Sequence, residues 1–163
     1  KAGIIGCGNI SNIYFNCYKI FNNFQVIACA DINKEAAEKS AKEHNVLAQS
    51  VDTLLENNEI DLVINLTIPS AHKEIIQRIL ESGKHCFSEK PLAMNFQDGL
   101  DLKKLSDEKG LLIGCAPDTF LGAAGQKARQ FIDENKIYEK LNTSGKQLEI
   151  IDYIRNKIFT NIN

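Results

Sequence analysis

Short apolar runs alternate with segments of helical periodicity over the first 117 residues. The runs are continuous, as in Leu-Val-Ile-Asn-Leu at 62–66, which is typical of strands covered on both faces. Between them, apolar residues recur at helical spacing, as in 10–21 and 72–82. This alternation implies right-handed crossovers. The pattern predicts an α/β fold, a doubly wound, mainly parallel sheet of six strands with helices on both faces.

Polar residues mark the starts of several predicted helices. The predicted strands are 2–5, 26–30, 46–48, 61–67, 85–88 and 111–115. Asn33, Ser50 and Asn95 each stand where a helical pattern begins after one of these strands. The side-chain oxygens of Asn33 and Ser50 can accept backbone N–H groups of the first helical turn, so we predict that these two residues cap their helices, while Asn95 starts the helix that ends near Lys109.

Composition limits the classes of partner. The chain has 163 residues, a formal net charge of −2 and 44% hydrophobic residues, which suits a globular protein with a core of its own. The small net charge disfavours nucleic acid as a partner, and no run approaches the ~18 apolar residues of a membrane span. Five cysteines without a Cys-x-x-Cys pattern predict reduced thiols in a cytoplasmic protein and no metal site.

A glycine-rich turn follows the first strand and opens a helix, as Gly-Cys-Gly-Asn-Ile-Ser at 6–11. Gly6 permits the tight turn, and Gly8 lets the backbone approach a pyrophosphate with no Cβ in the way. Ser11 is a small residue where a third glycine would be usual. The alternative is a purely structural turn, but the position between a strand and a helix is the one that a phosphate-binding turn of a Rossmann-type fold needs.

Asp31 ends the second predicted strand, twenty residues beyond Ser11. A carboxylate there can accept hydrogen bonds from both ribose hydroxyls of adenosine and would repel a 2′-phosphate, so NAD is favoured over NADP. The nearby Lys34 weakens that preference and leaves NADP open. A helix-capping aspartate is the alternative reading. The glycine turn and Asp31 together predict nucleotide binding, but methyltransferases share both features.

Two more polar segments follow the fourth and fifth predicted strands, at 67–72 and 89–91. Open α/β sheets bind ligands at the carboxyl ends of their strands. Taken singly, His72 would be a surface or capping residue and Lys90 a surface lysine. Because the two segments follow successive strands, we expect them to share one site. Nothing in methyl transfer requires the Glu-Lys-Pro sequence at 89–91, which disfavours a methyltransferase.

These motifs, in this order, resemble the Gfo/Idh/MocA family of NAD(P)-dependent oxidoreductases, the glucose–fructose oxidoreductase and inositol 2-dehydrogenase family. The resemblance runs from about Ala2 to Ile137, and Glu-Lys-Pro is its most specific motif. The segments that carry it are 3–11, Asp31, 67–72, 83–85, 89–93, 114–122 and 128–133. The resemblance implies that this chain binds NAD, with NADP as the other candidate.

The resemblance implies a role for each matching residue. The implied cofactor-binding residues are Gly6, Gly8, Asn9, Ile10, Ser11, Asp31, Thr67, Pro69, His72, Glu89, Lys90 and Pro91. Within this set, the glycine turn would cradle the pyrophosphate, Thr67, Pro69 and His72 would border the dinucleotide, and Glu89 would contact the nicotinamide ribose. Lys90 is the implied catalytic residue, because a lysine there can polarise a substrate oxygen or take part in proton transfer.

The resemblance also divides the chain into three segments. These are an NAD(P)-binding domain at 1–117, a helix at 118–137 that normally leads into a second domain, and an atypical tail at 138–163 that reads as helical. Family enzymes carry an aspartate and a histidine four residues apart in the second domain, whereas here Asp152 is followed by Asn156. We therefore expect the substrate domain to be absent. Truncation or an interrupted reading frame is favoured as the reason, over a tail that replaces the domain.

The expected function is that of the NAD(P)-binding domain of an oxidoreductase, which transfers a hydride between nicotinamide and a sugar, cyclitol or related hydroxylated substrate. The alternative is a non-catalytic dinucleotide-binding or sensing module. The expected partners are a nicotinamide dinucleotide and, in the complete enzyme, a small polyol or sugar, with no nucleic acid and no membrane. The apolar stripe from Leu148 to Ile158 leaves homo-oligomer formation open.

Overall fold

The computed structural model describes residues 1–17, 20–21, 23–116 and 122–134. The chain divides into two units, Lys1–Pro117 and Asp118–Asn163. In the second unit the described segment contains one helix, α6 (Ala123–Asp133). This helix lies within the predicted segment 118–137, and the predicted tail at 138–163 lies outside the described residues.

The described residues of the first unit form one six-stranded sheet. Its strands are β1 (Ala2–Ile5), β2 (Val26–Ala30), β3 (Leu47–Ala48), β4 (Leu62–Asn65), β5 (His85–Ser88) and β6 (Ile113–Cys115). The helices between them are α1 (Ser11–Cys17), α2 (Lys34–His44), α3 (Val51–Glu56), α4 (His72–Glu81) and α5 (Phe96–Glu108). All neighbouring strands are parallel, in the order β3-β2-β1-β4-β5-β6. The predicted six-stranded, Rossmann-type α/β fold is confirmed.

Side-chain caps begin three of the helices, including the two predicted capping residues Asn33 and Ser50 and the predicted helix start Asn95. The Asn33 side chain accepts from the backbone N of Glu35 at 3.0 Å. Ser50 Oγ accepts from the backbone N of Thr53 at 3.1 Å, and Asn95 Oδ1 accepts from that of Asp98 at 2.9 Å. Each bond satisfies a first-turn donor that has no partner within its helix.

Two cores lie on opposite faces of the sheet, because successive side chains of a strand point to opposite sides. Ile5 and Val63 belong to the core formed with α3, α4 and α5, whose buried residues include Leu54, Ile76 and Leu102. Ile4 and Ile64 belong to the other core, which includes Phe15 of α1 and Ala41 of α2. Burying a side chain of this size contributes roughly 1.5–3 kcal/mol, so both cores stabilise the sheet.

One strand ends earlier than its apolar run suggests. The apolar run predicts a strand at 61–67, but β4 stops at Asn65. Asn65 Oδ1 accepts from both the backbone N of Thr67 at 3.2 Å and Thr67 Oγ1 at 2.7 Å. This local turn replaces the next strand pairing. A 3₁₀ turn at Pro69–Ala71 then leads into α4.

Among the helices that the structure describes, none combines the length and the apolar character needed to cross a membrane.

Candidate dinucleotide-binding site

The candidate site lies along the carboxyl edge, which we define as the edge of the sheet where β1, β2, β4 and β5 end. β1 lies between β2 and β4, so the connections on its two sides run in opposite directions. Such a switch point leaves a crevice at the carboxyl ends of the strands. The sheet order brings the predicted segments after these four strands to this one edge.

The turn after β1 requires glycine at Gly6. Its φ is +103°, and a Cβ there would lie 2.6 Å from the carbonyl carbon and oxygen of Leu66. Gly6 N donates to the Ala30 carbonyl oxygen at 2.9 Å, so the turn is fixed against both neighbouring strands. The backbone of the turn is therefore set by close contact with β2 and with the residues after β4.

Gly8 differs from Gly6, since no atom beyond those of Gly8 and its two chain neighbours lies within 4 Å of the position a Cβ would take. Gly8, Asn9 and Ile10 are exposed, whereas Ser11 is only 1% exposed and its Oγ donates to the Gly8 carbonyl oxygen at 2.7 Å. Ser11 thus supports the turn on its buried side, while the space beside Gly8 stays open on the exposed side. This open position at Gly8, which we call the cradle, lets a pyrophosphate approach the backbone of the turn without meeting a side chain.

Asp31 joins the glycine turn to the start of α2. Its Oδ2 accepts from the backbone N of Cys7 at 2.7 Å, and its Oδ1 accepts from the backbone N of Asn33 at 2.8 Å. The capping oxygen of α2 is that of Asn33, so Asp31 is not the helix cap. Each carboxylate oxygen retains acceptor capacity, and the carboxylate is fixed beside the turn that would hold a pyrophosphate.

A buried polar network joins the ends of β4 and β5. Asn65 and Ser88 have no exposed surface, and Asn65 Nδ2 donates to Ser88 Oγ at 3.1 Å. Ser88 Oγ donates in turn to the Glu89 carbonyl oxygen at 3.1 Å. Together with the Thr67 contacts, these bonds fix the segments that follow both strands. The sequence reasoning missed this network, although an asparagine inside a strongly apolar run is a signal of a satisfied polar group.

His72 lies at the start of α4 and is completely buried. One ring nitrogen lies 2.6 Å from the Pro91 carbonyl oxygen, and the other lies 2.9 Å from that of Thr67. The ring therefore joins the segments after β4 and β5. With no exposed surface, the ring could reach a dinucleotide directly only if those segments moved apart, whereas Thr67 is partly exposed and Pro69 is exposed.

The Glu-Lys-Pro segment follows β5. Glu89 N donates to the Asn65 carbonyl oxygen at 2.9 Å, and the Lys90–Pro91 peptide is cis. Glu89 Oε1 accepts from Tyr14 Oη at 2.6 Å. Lys90 and Pro91 are exposed, and the Lys90 ammonium makes no hydrogen bond or ion pair with any residue that the structure describes.

Two further observations concern the chemistry available at this edge. Burial raises the pKa of the Cys115 thiol, which donates to the Glu89 carbonyl oxygen at 3.8 Å and therefore stays neutral. In the part of the chain that the structure describes, no cluster of three or more histidine, cysteine, aspartate or glutamate side chains is arranged to hold a metal ion.

Known proteins with similar sequences are oxidoreductases and related enzymes. The chain is 31% identical over 101 residues to an inositol 2-dehydrogenase/D-chiro-inositol 3-dehydrogenase of Lacticaseibacillus casei, which covers 60% of this chain and 29% of that protein. It is 29% identical over 148 residues to a 2,7-anhydro-N-acetylneuraminate hydratase of Escherichia coli, covering 89% of this chain and 39% of the relative. The chain therefore spans about a third of the length of these curated relatives.

A solved structure extends the likeness to three dimensions. Biliverdin reductase from Synechocystis, solved with biliverdin and NADP+, superposes with a TM-score of 0.73 at 30% identity, covering 81% of this chain and 42% of that one. The family model for an oxidoreductase family with an NAD-binding Rossmann fold matches residues 1–116, which is more than half of the chain. The protein therefore belongs to the Gfo/Idh/MocA oxidoreductase family through its NAD-binding Rossmann domain.

Proposed function

We propose that residues 1–117 bind NAD(P) as the cofactor domain of an oxidoreductase that acts on a sugar, a cyclitol or a related hydroxylated substrate. When bound, nicotinamide would accept or supply the hydride. The observation that carries the proposal is the pairing of an open cradle at Gly8 with a carboxylate fixed beside it at Asp31. These are the two features that a dinucleotide's pyrophosphate and adenosine ribose require.

The backbone of 6–10 would bind the pyrophosphate, with Ser11 holding the turn. Asp31 would accept hydrogen bonds from the adenosine ribose hydroxyls. Thr67 and Pro69 would border the dinucleotide, and Glu89 and Pro91 would lie at its nicotinamide half. His72 would act by joining the two bordering segments through its contacts with the Thr67 and Pro91 carbonyl oxygens.

We assign the cofactor preference to NAD. The Asp31 carboxylate would oppose a 2′-phosphate by charge repulsion. Lys34 pairs with Glu38, with Nζ and Oε1 3.6 Å apart and both side chains well exposed. Because exposed pairs are weak, Lys34 remains available to a 2′-phosphate, and NADP stays the second candidate cofactor.

Lys90 would act on the substrate. Its exposed ammonium, without a partner among the described residues, can donate a hydrogen bond to a substrate oxygen whose charge changes during hydride transfer. We propose that selection of the substrate and the main acid–base group lie in a substrate domain beyond these residues. The names of the relatives, which include a dehydrogenase, a reductase and a hydratase, fit a shared cofactor domain that serves different substrates.

The test is a fluorescence titration of the chain with NADH. We expect saturable binding at submillimolar concentrations. Asp31→Ala should weaken NADH binding by roughly tenfold, the cost of one hydrogen bond to a charged group, and should narrow any preference for NADH over NADPH. Asp107→Ala is the matched control, since Asp107 is an exposed aspartate of α5 that pairs with Lys103. Absence of binding at millimolar NADH would contradict the proposal.

A further inference from the structure

A tyrosine of α1 contacts the Glu-Lys-Pro segment across 75 positions of sequence. Tyr14 Oη donates to Glu89 Oε1 at 2.6 Å. The Tyr14 ring also faces Phe87 of β5, with the ring centroids 6.4 Å apart and the planes at 53°. The ring thus lies against Phe87, and the hydroxyl is directed at the Glu89 carboxylate.

Glu89 is held from two further directions. Its Oε2 accepts from the backbone N of Lys90 at 3.1 Å, and its own backbone N donates to the Asn65 carbonyl oxygen at 2.9 Å. The backbone of Glu89 is thus fixed by the end of β4, and its carboxylate accepts from both Tyr14 and the backbone N of Lys90. Glu89 is half-buried, and a hydrogen bond to an ionised carboxylate is stronger than one between neutral groups.

Tyr14 also lies one helical turn after the glycine turn. Ser11 begins α1 and is bonded to the Gly8 carbonyl oxygen. Residues three apart share one side of a helix, so Ser11 and Tyr14 lie on the same side of α1. One short helix therefore connects the turn proposed to hold the pyrophosphate with the carboxylate proposed to lie at the nicotinamide ribose.

We propose that Tyr14 is a positioning residue, which holds the Glu89 carboxylate in the orientation that accepts a hydroxyl of the nicotinamide ribose. This inference rests on the proposed function. Tyr14 acts through Glu89, so its hydroxyl should matter for ligands that contain the nicotinamide ribose and should not matter for ligands that end at the pyrophosphate.

The experiment compares two ligands on four forms of the full chain: the unmodified protein, Tyr14→Phe, Glu89→Ala and the double variant. NADH binding is followed by fluorescence and ADP binding by calorimetry, because ADP lacks the nicotinamide ribose. Tyr14→Phe should weaken NADH binding roughly tenfold and leave the affinity for ADP unchanged. In the Glu89→Ala background, adding Tyr14→Phe should not weaken NADH binding any further.

Ser82→Ala provides the matched loss of a hydroxyl, since Ser82 Oγ donates to the Ile79 carbonyl oxygen at 2.7 Å. Ser82 precedes the start of β5, so it lies at the edge of the sheet opposite the site. Ser82→Ala should leave both affinities unchanged. Equal weakening of NADH and ADP by Tyr14→Phe would mean that the hydroxyl only supports the fold around the turn. Unchanged NADH affinity, or additive effects in the double variant, would also overturn the inference. Failure of the unmodified chain to bind NADH would instead overturn the proposed function itself.

Discussion

The two glycines of the turn after β1 serve different purposes. Gly6 is required by the fold, because its φ is +103° and a Cβ would press on the Leu66 backbone at 2.6 Å. Gly8 faces open space, so the fold itself would accept a side chain there. A dinucleotide fingerprint therefore combines a structural constraint with a ligand constraint, and the two can be separated by experiment.

We expect Gly6→Ala to destabilise the protein by about 1–3 kcal/mol or more, because the new Cβ meets backbone atoms in a conformation that L-residues rarely adopt. Gly8→Val should leave the melting temperature almost unchanged but weaken NADH by tenfold or more, since its side chain occupies the cradle. Thermal unfolding and NADH titration of both variants test this. A large loss of stability in Gly8→Val would contradict the division of roles.

At the level of elements, the first turn of α4 anchors the loops that border the site. His72 joins the segments after β4 and β5 through its two ring nitrogens. The next residue, Lys73, forms an ion pair with Asp98 in the first turn of α5. Asp98 is bonded in addition to its capping residue, with Asn95 Nδ2 donating to Asp98 Oδ2 at 2.6 Å. The start of α4 thus ties the site to the helix layer beneath it.

This ion pair predicts a dependence of stability on acid pH. The hydrogen bond from Lys73 lowers the pKa of Asp98 below its usual 3.8. Because the folded pKa lies below the unfolded one, the stabilisation is present above pH 3.8 and is lost as the pH falls through the folded pKa. Asp98→Asn should therefore lower the melting temperature near pH 7 by a few degrees and flatten its decline below pH 4.

Thermal unfolding of Asp98→Asn and of the unmodified protein between pH 2.5 and 7 measures this effect, in steps of about half a unit. Asp107→Asn removes an exposed α5 carboxylate that pairs within its own helix, so it is the control and should follow the unmodified curve more closely. If the melting temperatures of Asp98→Asn and the unmodified protein fell in parallel with pH, the Lys73–Asp98 pair would make no contribution to the loss of stability in acid.

Across the whole molecule, the features that could be predicted from the sequence are those determined by residues close together in the chain. Strands, helix caps and the glycine turn follow from periodicity and from single residue types, so they were predictable. The Tyr14–Glu89 bond and the Asn65–Ser88 bond join residues 75 and 23 positions apart and required the sheet order. The burial of His72 was missed for the same reason, since the Pro91 carbonyl oxygen that it meets lies 19 positions away.

Because these contacts converge on one edge, cofactor binding should stabilise the whole first unit, Lys1–Pro117. A ligand that binds only the folded state adds about 2.7 kcal/mol at 100 times its Kd. For a domain of this size that corresponds to a rise in melting temperature of roughly 10 °C. NADH should produce this rise in a concentration-dependent way, ADP a smaller one at equal concentration, and nicotinamide mononucleotide almost none, because the cradle and Asp31 engage the pyrophosphate and adenosine. A rise with nicotinamide mononucleotide equal to that with NADH would place the main binding energy at the Glu89–Pro91 segment and contradict the assignment of Gly8 and Asp31.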